Sequence, residues 1–219
     1  MLAAQNADRT DPRGKDRVKV WDPFVRVAHW TVAASFFVAY FTEDELMSLH
    51  AWAGYVIGLL IVLRVAWGFV GPTHARFSDF LFGPLAAAQY VTRLLTFRAR
   101  RYVGHSPAGA VMVFALLAGL AATVWTGMEL YAAEERKGPL AATSGVVSVA
   151  IADEDEEGDE RDDEGGGNGY GELWEELHEV LANLMMVLVV LHVGGVALAS
   201  VAHRENLVRA MVTGWKRAE

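Results

Sequence analysis

The long apolar run from Leu173 to Ala202, which carries His178 and His192, constrains this chain more than any other stretch. The two histidines are 14 residues apart. On a helix rising about 1.5 Å per residue they stand roughly 21 Å apart, and fourteen steps of about 100° leave them only about 40° apart around the axis. Both therefore face one side of one helix, at two depths. The rest of the chain must supply whatever meets them.

Apolar residues make up 53% of the 219, gathered into unbroken runs of a length that a water-soluble domain seldom shows. Such runs predict membrane spans. No cysteine is present, which excludes disulfides, iron–sulfur clusters, thiolate metal sites and c-type haem attachment. The formal charge of −8 is local: residues 130–177 hold 15 Asp/Glu against 3 Lys/Arg, a net −12, so the remainder is net +4. No nucleic-acid partner is expected.

Residues 1–19 are polar and lack an apolar core, and are expected to form a disordered basic arm. Span one is expected at about 24–42, with Arg26 and His29 on one face three residues apart, and Trp21 just before it as an interfacial anchor. Span two is expected at about 46–70, with His50 near its start and Arg64 near its end. Gly54 and Gly58 follow His50 at four-residue steps and clear one face, for close helix packing or for a flat ligand. The arginine-rich stretch 71–104 contains a predicted surface helix at about 85–97. Ser106-Pro107 marks the start of span three, about 108–129, which holds no histidine. The acidic loop 130–172, with a centre too polar to fold, precedes span four at about 173–202.

Lys and Arg are counted at six up to Arg26, five in 71–104 and four in the C-terminal tail, against none at 43–45 and three in the acidic loop. An even number of spans with both termini in the cytoplasm satisfies that alternation. His29 and His192 then lie at cytoplasmic depth, and His50 and His178 near the outer ends. The pairs expected are His29 with His192 and His50 with His178. Two imidazoles from facing helices suit the two axial positions of a b-type haem iron. The fold class expected is all-α, an integral membrane four-helix bundle with two b haems between the helices. A lone intramembrane histidine is ordinarily a polar bridge; four in depth-matched pairs point to ligands. A zinc site would need its ligands clustered, and a proton relay would need carboxylates among them. Arg26 and Arg64 either snorkel to the headgroups or pair with propionates of the inner haem. His74, His105 and His203 are expected at the surface.

Several motifs together resemble the bacterial cytochrome b561 / nickel-iron hydrogenase b-type cytochrome family: Val20-Trp21-Asp22-Pro23 with Arg26 and His29-Trp30, Arg64-Val65-Ala66-Trp67-Gly68-Phe69, Gly104-His105-Ser106-Pro107, and the two histidines of the last span. The resemblance spans roughly 20–217 apart from the acidic insertion. It implies four membrane helices in the plasma (inner) membrane of a bacterium, two b haems on His29, His50, His178 and His192, and an electron relay between an external partner, a hydrogenase or c-type cytochrome, and the quinone pool. The quinone is expected near one haem, on the His105/Arg64 side. The acidic loop is a candidate for steering a basic c-type cytochrome. Two other functions fit parts of the pattern: superoxide:quinone oxidoreduction on the same fold, and a haem-free scaffold or transporter subunit.

Overall fold

The computed structural model describes residues 17–43, 46–141 and 166–218. The expected disordered arm up to residue 16 lies outside them, as do residues 153–165 of the acidic centre expected to be disordered over 153–171; residues 166–171 of that centre are instead helical. Four long helices form a bundle: α1 (Pro23–Tyr40), α2 (Met47–Val70), α4 (Pro107–Glu135) and α5 (Gly166–Ala202), with α3 (Pro84–Leu95) packed on α4 and a short α6 (Leu207–Thr213) after α5.

The helix starts are written in the sequence. Asp22 Oδ1 accepts the Val25 amide at 3.1 Å with Pro23 in the first turn, and Ser106 Oγ accepts the Gly109 amide at 3.2 Å ahead of Pro107. Each pairing satisfies an amide that the helix itself leaves unbonded. By length and composition, three segments can cross a membrane: Met47–Val70, Pro107–Ala133 and Gly171–Ala202. The sequence reading counted four. The other long helix, α1, has 18 residues, about 27 Å of rise, and Arg26 and His29 in its first turns dilute its apolar character. Large side chains that a water-soluble fold would bury stay exposed on the bundle's outside, among them Val62, Phe69, Val190 and Val201 at 60–75%. They make a lipid-facing belt.

α5 begins at Gly166, ahead of the apolar run, and is 37 residues long. Once nucleated, a helix gains a hydrogen bond per added residue, so it extends past the apolar stretch into polar sequence. At about 55 Å it exceeds the roughly 30 Å hydrocarbon core of a bilayer.

α1 packs along α2, α2 along α4 and α4 along α5, while α5 faces α1 and α2 mainly through side chains. Between them lies an apolar layer of Phe36, Ile57, Ile61, Leu120 and Met185. Phe36, Ile57 and Met185 follow His29, His50 and His178 by seven residues each, two helical turns. Met185 also precedes His192 by seven. The layer therefore sits midway between two histidine levels. Met185 is 1% exposed, and its Sδ lies against Gly119 of α4 where no side chain would fit.

At the end carrying both termini, β1 (Arg17–Lys19) pairs antiparallel with β2 (Trp215–Arg217), with Val18 opposite Lys216. Residues 17–19 thus depart from the expected disordered arm, because a strand pair joining opposite ends of the chain leaves no trace in local composition. The turn into β2 uses Gly214 at φ +86°, whose missing Cβ would stand 2.8 Å from the Trp21 carbonyl. This is called the basic end below; the opposite end, from which residues 142–165 depart, is the insert end.

Candidate cofactor site: two histidine pairs at two levels

His29 of α1 and His192 of α5 come together toward the basic end, with ring centres 6.2 Å apart. His50 of α2 and His178 of α5 meet toward the insert end at 5.9 Å. Iron–nitrogen bonds of about 2 Å, with ring centres about 1.1 Å beyond each nitrogen, put two axial imidazoles on one iron roughly 6.2 Å apart. Both pairs have that spacing. Among the described residues no group of three or more His, Asp or Glu converges on a metal-sized site.

The insert-end pair also has its tautomers assigned by its neighbours. His50 Nδ1 lies 2.9 Å from the Ala39 carbonyl of α1. His178 Nδ1 lies 3.0 Å from the Thr123 carbonyl and 3.1 Å from Thr126 Oγ1, both on α4. A carbonyl only accepts, so each Nδ1 carries the proton and donates it, which leaves each Nε2 lone pair free for a metal. Gly127 leaves room for the ring: a Cβ there would stand 2.8 Å from His178 Cε1. A cleft opens around this pair and is lined by Gly54, Thr123 and Gly127, with Tyr40, Glu43 and Glu135 also on its lining. Gly54 faces open space, whereas a Cβ on Gly58 would lie 3.1 Å from Val124 Cγ1. Of the two glycines after His50, one clears the cleft and the other allows helices to approach.

The basic-end pair is built differently. His29 Nδ1 is buried with no hydrogen-bond partner. Arg64 follows His50 on α2 by the same 14 residues that separate His178 from His192 on α5, so it stands level with this pair. Its Nη1 is buried and unpartnered, and its guanidinium lies 5.0 Å above the Phe77 ring. Arg26 donates to the Val212 carbonyl through Nη2 and keeps a buried, unpartnered Nε. Half-buried cations with spare, buried donor atoms suit the carboxylates of a porphyrin. The four histidines and two arginines thus fit a pair of b-type haems, one at each level.

His105 differs from the surface placement expected for it. It is enclosed by Phe80, 4.0 Å away between ring centres, and Trp21 at 4.7 Å, and its Nδ1 is buried without a partner. Burial, with Arg64, His74 and Lys216 nearby, pushes its pKa down to about 3. His74 pairs with Asp79 at 3.0 Å, and His203 Nε2 lies 3.1 Å from the Tyr90 hydroxyl. Next to them Arg101 grips both oxygens of Glu205 at 3.0 and 3.2 Å, Lys216 donates to the Tyr102 carbonyl at 2.9 Å, and the Arg217 amide donates to Glu205 at 2.8 Å. This network clamps the terminal ribbon to the bundle.

Sequence reasoning missed the part played by α4. Gly119, Thr123 and Gly127 recur at four-residue steps on one face of the span without histidine. That stripe of small residues was the available sign that something bulky lies against it.

The model of the prokaryotic cytochrome b561 family matches residues 20–214. The probable Ni/Fe-hydrogenase B-type cytochrome subunit of Bradyrhizobium diazoefficiens is 27% identical over 162 residues, covering 59% of this chain and 65% of that protein. Its namesakes from Azotobacter vinelandii and Rhizobium leguminosarum bv. viciae are 27% and 28% identical, over 55% and 53% of this chain and 62% and 61% of theirs. The chain thus spans a little over three fifths of the length of these curated relatives. No solved structure matches it. With nearly its whole described length inside one family model, the chain belongs to the prokaryotic cytochrome b561 family, bacterial membrane cytochromes of the b type that transfer electrons.

Proposed function

We propose that this chain is a transmembrane electron conduit for two b haems, in which His29 and His192 would hold the iron of one and His50 and His178 that of the other. The observation that carries this is the placement of the two imidazole pairs on either side of one apolar layer. A haem, when bound, would supply one-electron acceptance and release. The Ala39 and Thr123 carbonyls orient His50 and His178, Arg26 and Arg64 would hold propionates at the basic end, and the Phe36–Ile57–Met185 layer places apolar side chains between the two levels.

All four long helices span the membrane in this reading, with both termini cytoplasmic and the acidic insertion outside. The physiological route runs between an external redox protein, a c-type cytochrome or a hydrogenase of the kind named for the relatives, and membrane quinone. Glu43 and Glu135 on the cleft lining favour a basic protein over the superoxide anion as the external reactant. The purified chain is expected to show a reduced b-type α-band and two haems per chain by pyridine haemochrome assay, falling to one in His178→Ala. A wild-type chain with a single haem, or a His178→Ala variant that keeps two, overturns the assignment.

A further inference from the structure

We propose that the two histidine pairs differ in electron affinity, the lower reduction potential belonging to His50/His178, and that Thr126 on α4 is a positioning residue that helps to set it. This rests on the reading that each pair holds a haem, and it adds a residue, Thr126, that tunes one of them.

Three features of the surroundings point the same way. The first is ligand basicity. His50 and His178 both donate Nδ1–H to backbone carbonyls, at 2.9 and 3.0 Å. Donation to an acceptor pushes electron density onto the imidazole, making it a stronger ligand that favours the oxidised metal. His29 Nδ1 has no acceptor. The second is Thr126. It is 6% exposed, and its hydroxyl donates to the Thr123 carbonyl at 3.0 Å while its oxygen faces His178 Nδ1 at 3.1 Å. The His178 proton is therefore shared between two acceptors on a rigid helix, and Gly127 against Cε1 keeps the ring from swinging away. The third is charge. Glu43 and Glu135 line the insert-end cleft, the second partly neutralised by Lys137 at 2.9 Å, whereas Arg64 stands level with the other pair and Arg26 sits three residues before His29 on α1. Positive charge stabilises the state holding the extra electron, and negative charge opposes it. An electron entering at His50/His178 therefore moves downhill to His29/His192, from the insert end to the basic end.

The test is a potentiometric titration of the full chain purified in detergent, followed at the reduced haem band, with haem content measured alongside. Wild type is expected to show two one-electron steps of unequal midpoint. His178→Ala should delete the lower step, and His192→Ala the higher. Thr126→Val, which removes one acceptor and keeps the shape, should raise the lower midpoint alone by an amount corresponding to a threefold change in equilibrium constant, about 28 mV at 59 mV per decade for one electron. Thr126→Ser, which keeps the hydroxyl, should restore it. Arg64→Gln should lower only the higher midpoint. Two haems with equal midpoints, loss of the higher step in His178→Ala, or a Thr126→Val variant that moves neither step or the higher one overturns the proposal alone. Fewer than two haems in wild type overturns it together with the reading beneath it.

Discussion

At the insert end the imidazoles are held by backbone: Ala39 and Thr123 carbonyls fix the tautomers, and a glycine admits the ring. At the basic end no such acceptor meets His29, and the surroundings supply cations, with Arg64 and Arg26 bearing unsatisfied donors and a clamp of Arg101, Glu205 and Lys216 closing the bundle below. One level is organised by hydrogen-bond geometry, the other by charge. One residue type, histidine, thus meets two different surroundings in a single bundle.

That contrast can be broken at either end. Gly127→Leu should have the largest effect. Its Cβ alone would stand 2.8 Å from His178 Cε1 on a packed helix, so the insert-end haem is expected to bind at least about tenfold more weakly, with the ratio of haem to protein falling toward one. Retention of both haems would mean that α4 gives way more easily than its packing implies. Glu205→Gln should act at the basic end only. Losing a charged partner in a nearly buried pair costs about 2 kcal/mol, read as earlier thermal unfolding, with the His50/His178 spectrum unchanged just below the transition.

Acidification should also select the basic end. His105 is held down to about 3 by burial, below its ordinary value, so between that value and the ordinary histidine range the unfolded chain binds a proton that the folded chain does not. Stability then falls as pH drops through this window. For Glu205, burial alone would raise the pKa, but the hydrogen bonds from Arg101 and the Arg217 amide hold it below the ordinary carboxylate value, so its contribution is likewise lost toward low pH. Unfolding midpoints measured from pH 7 to 4 should decline, and His105→Phe should flatten the decline; an unchanged slope removes His105 as the cause. The smallest effect is expected from Gly54→Ala, whose Cβ meets no protein atom within 4 Å. The haem-free chain should lose no stability, so any drop in haem content reports a cofactor lying over that position.

Much of this was legible before any coordinates. The helices follow from apolar runs bounded by Asp22-Pro23 and Ser106-Pro107, and the histidine pairing follows from counting 14 residues along one helix and assigning depth by Lys and Arg. What stayed hidden depends on partners distant in the chain. Residues 17–19 become a strand only because Trp215–Arg217 returns beside them. His105 is buried only because Trp21 and Phe80 close over it. The Thr126 hydroxyl lies on a helix that carries no histidine, and its contact exists only once His178 has been brought within 3.1 Å. Spacing along one helix is a local property and survives in sequence; which side chain completes another's hydrogen bond does not.

The midway layer of Phe36, Ile57 and Met185 has a consequence for energy conversion. None of these three side chains carries a hydroxyl, carboxylate or imidazole along which a proton could hop. If each pair holds a haem as proposed, electrons would tunnel across such a layer and protons would find no relay in its side chains, so the bundle would act as an insulated lead. Each electron passing between the levels would then cross part of the membrane field uncompensated, where moving one charge across the whole field is worth about 2.3 kcal/mol per 100 mV. Turnover of this protein would therefore itself be a current, and the membrane voltage would help or oppose it.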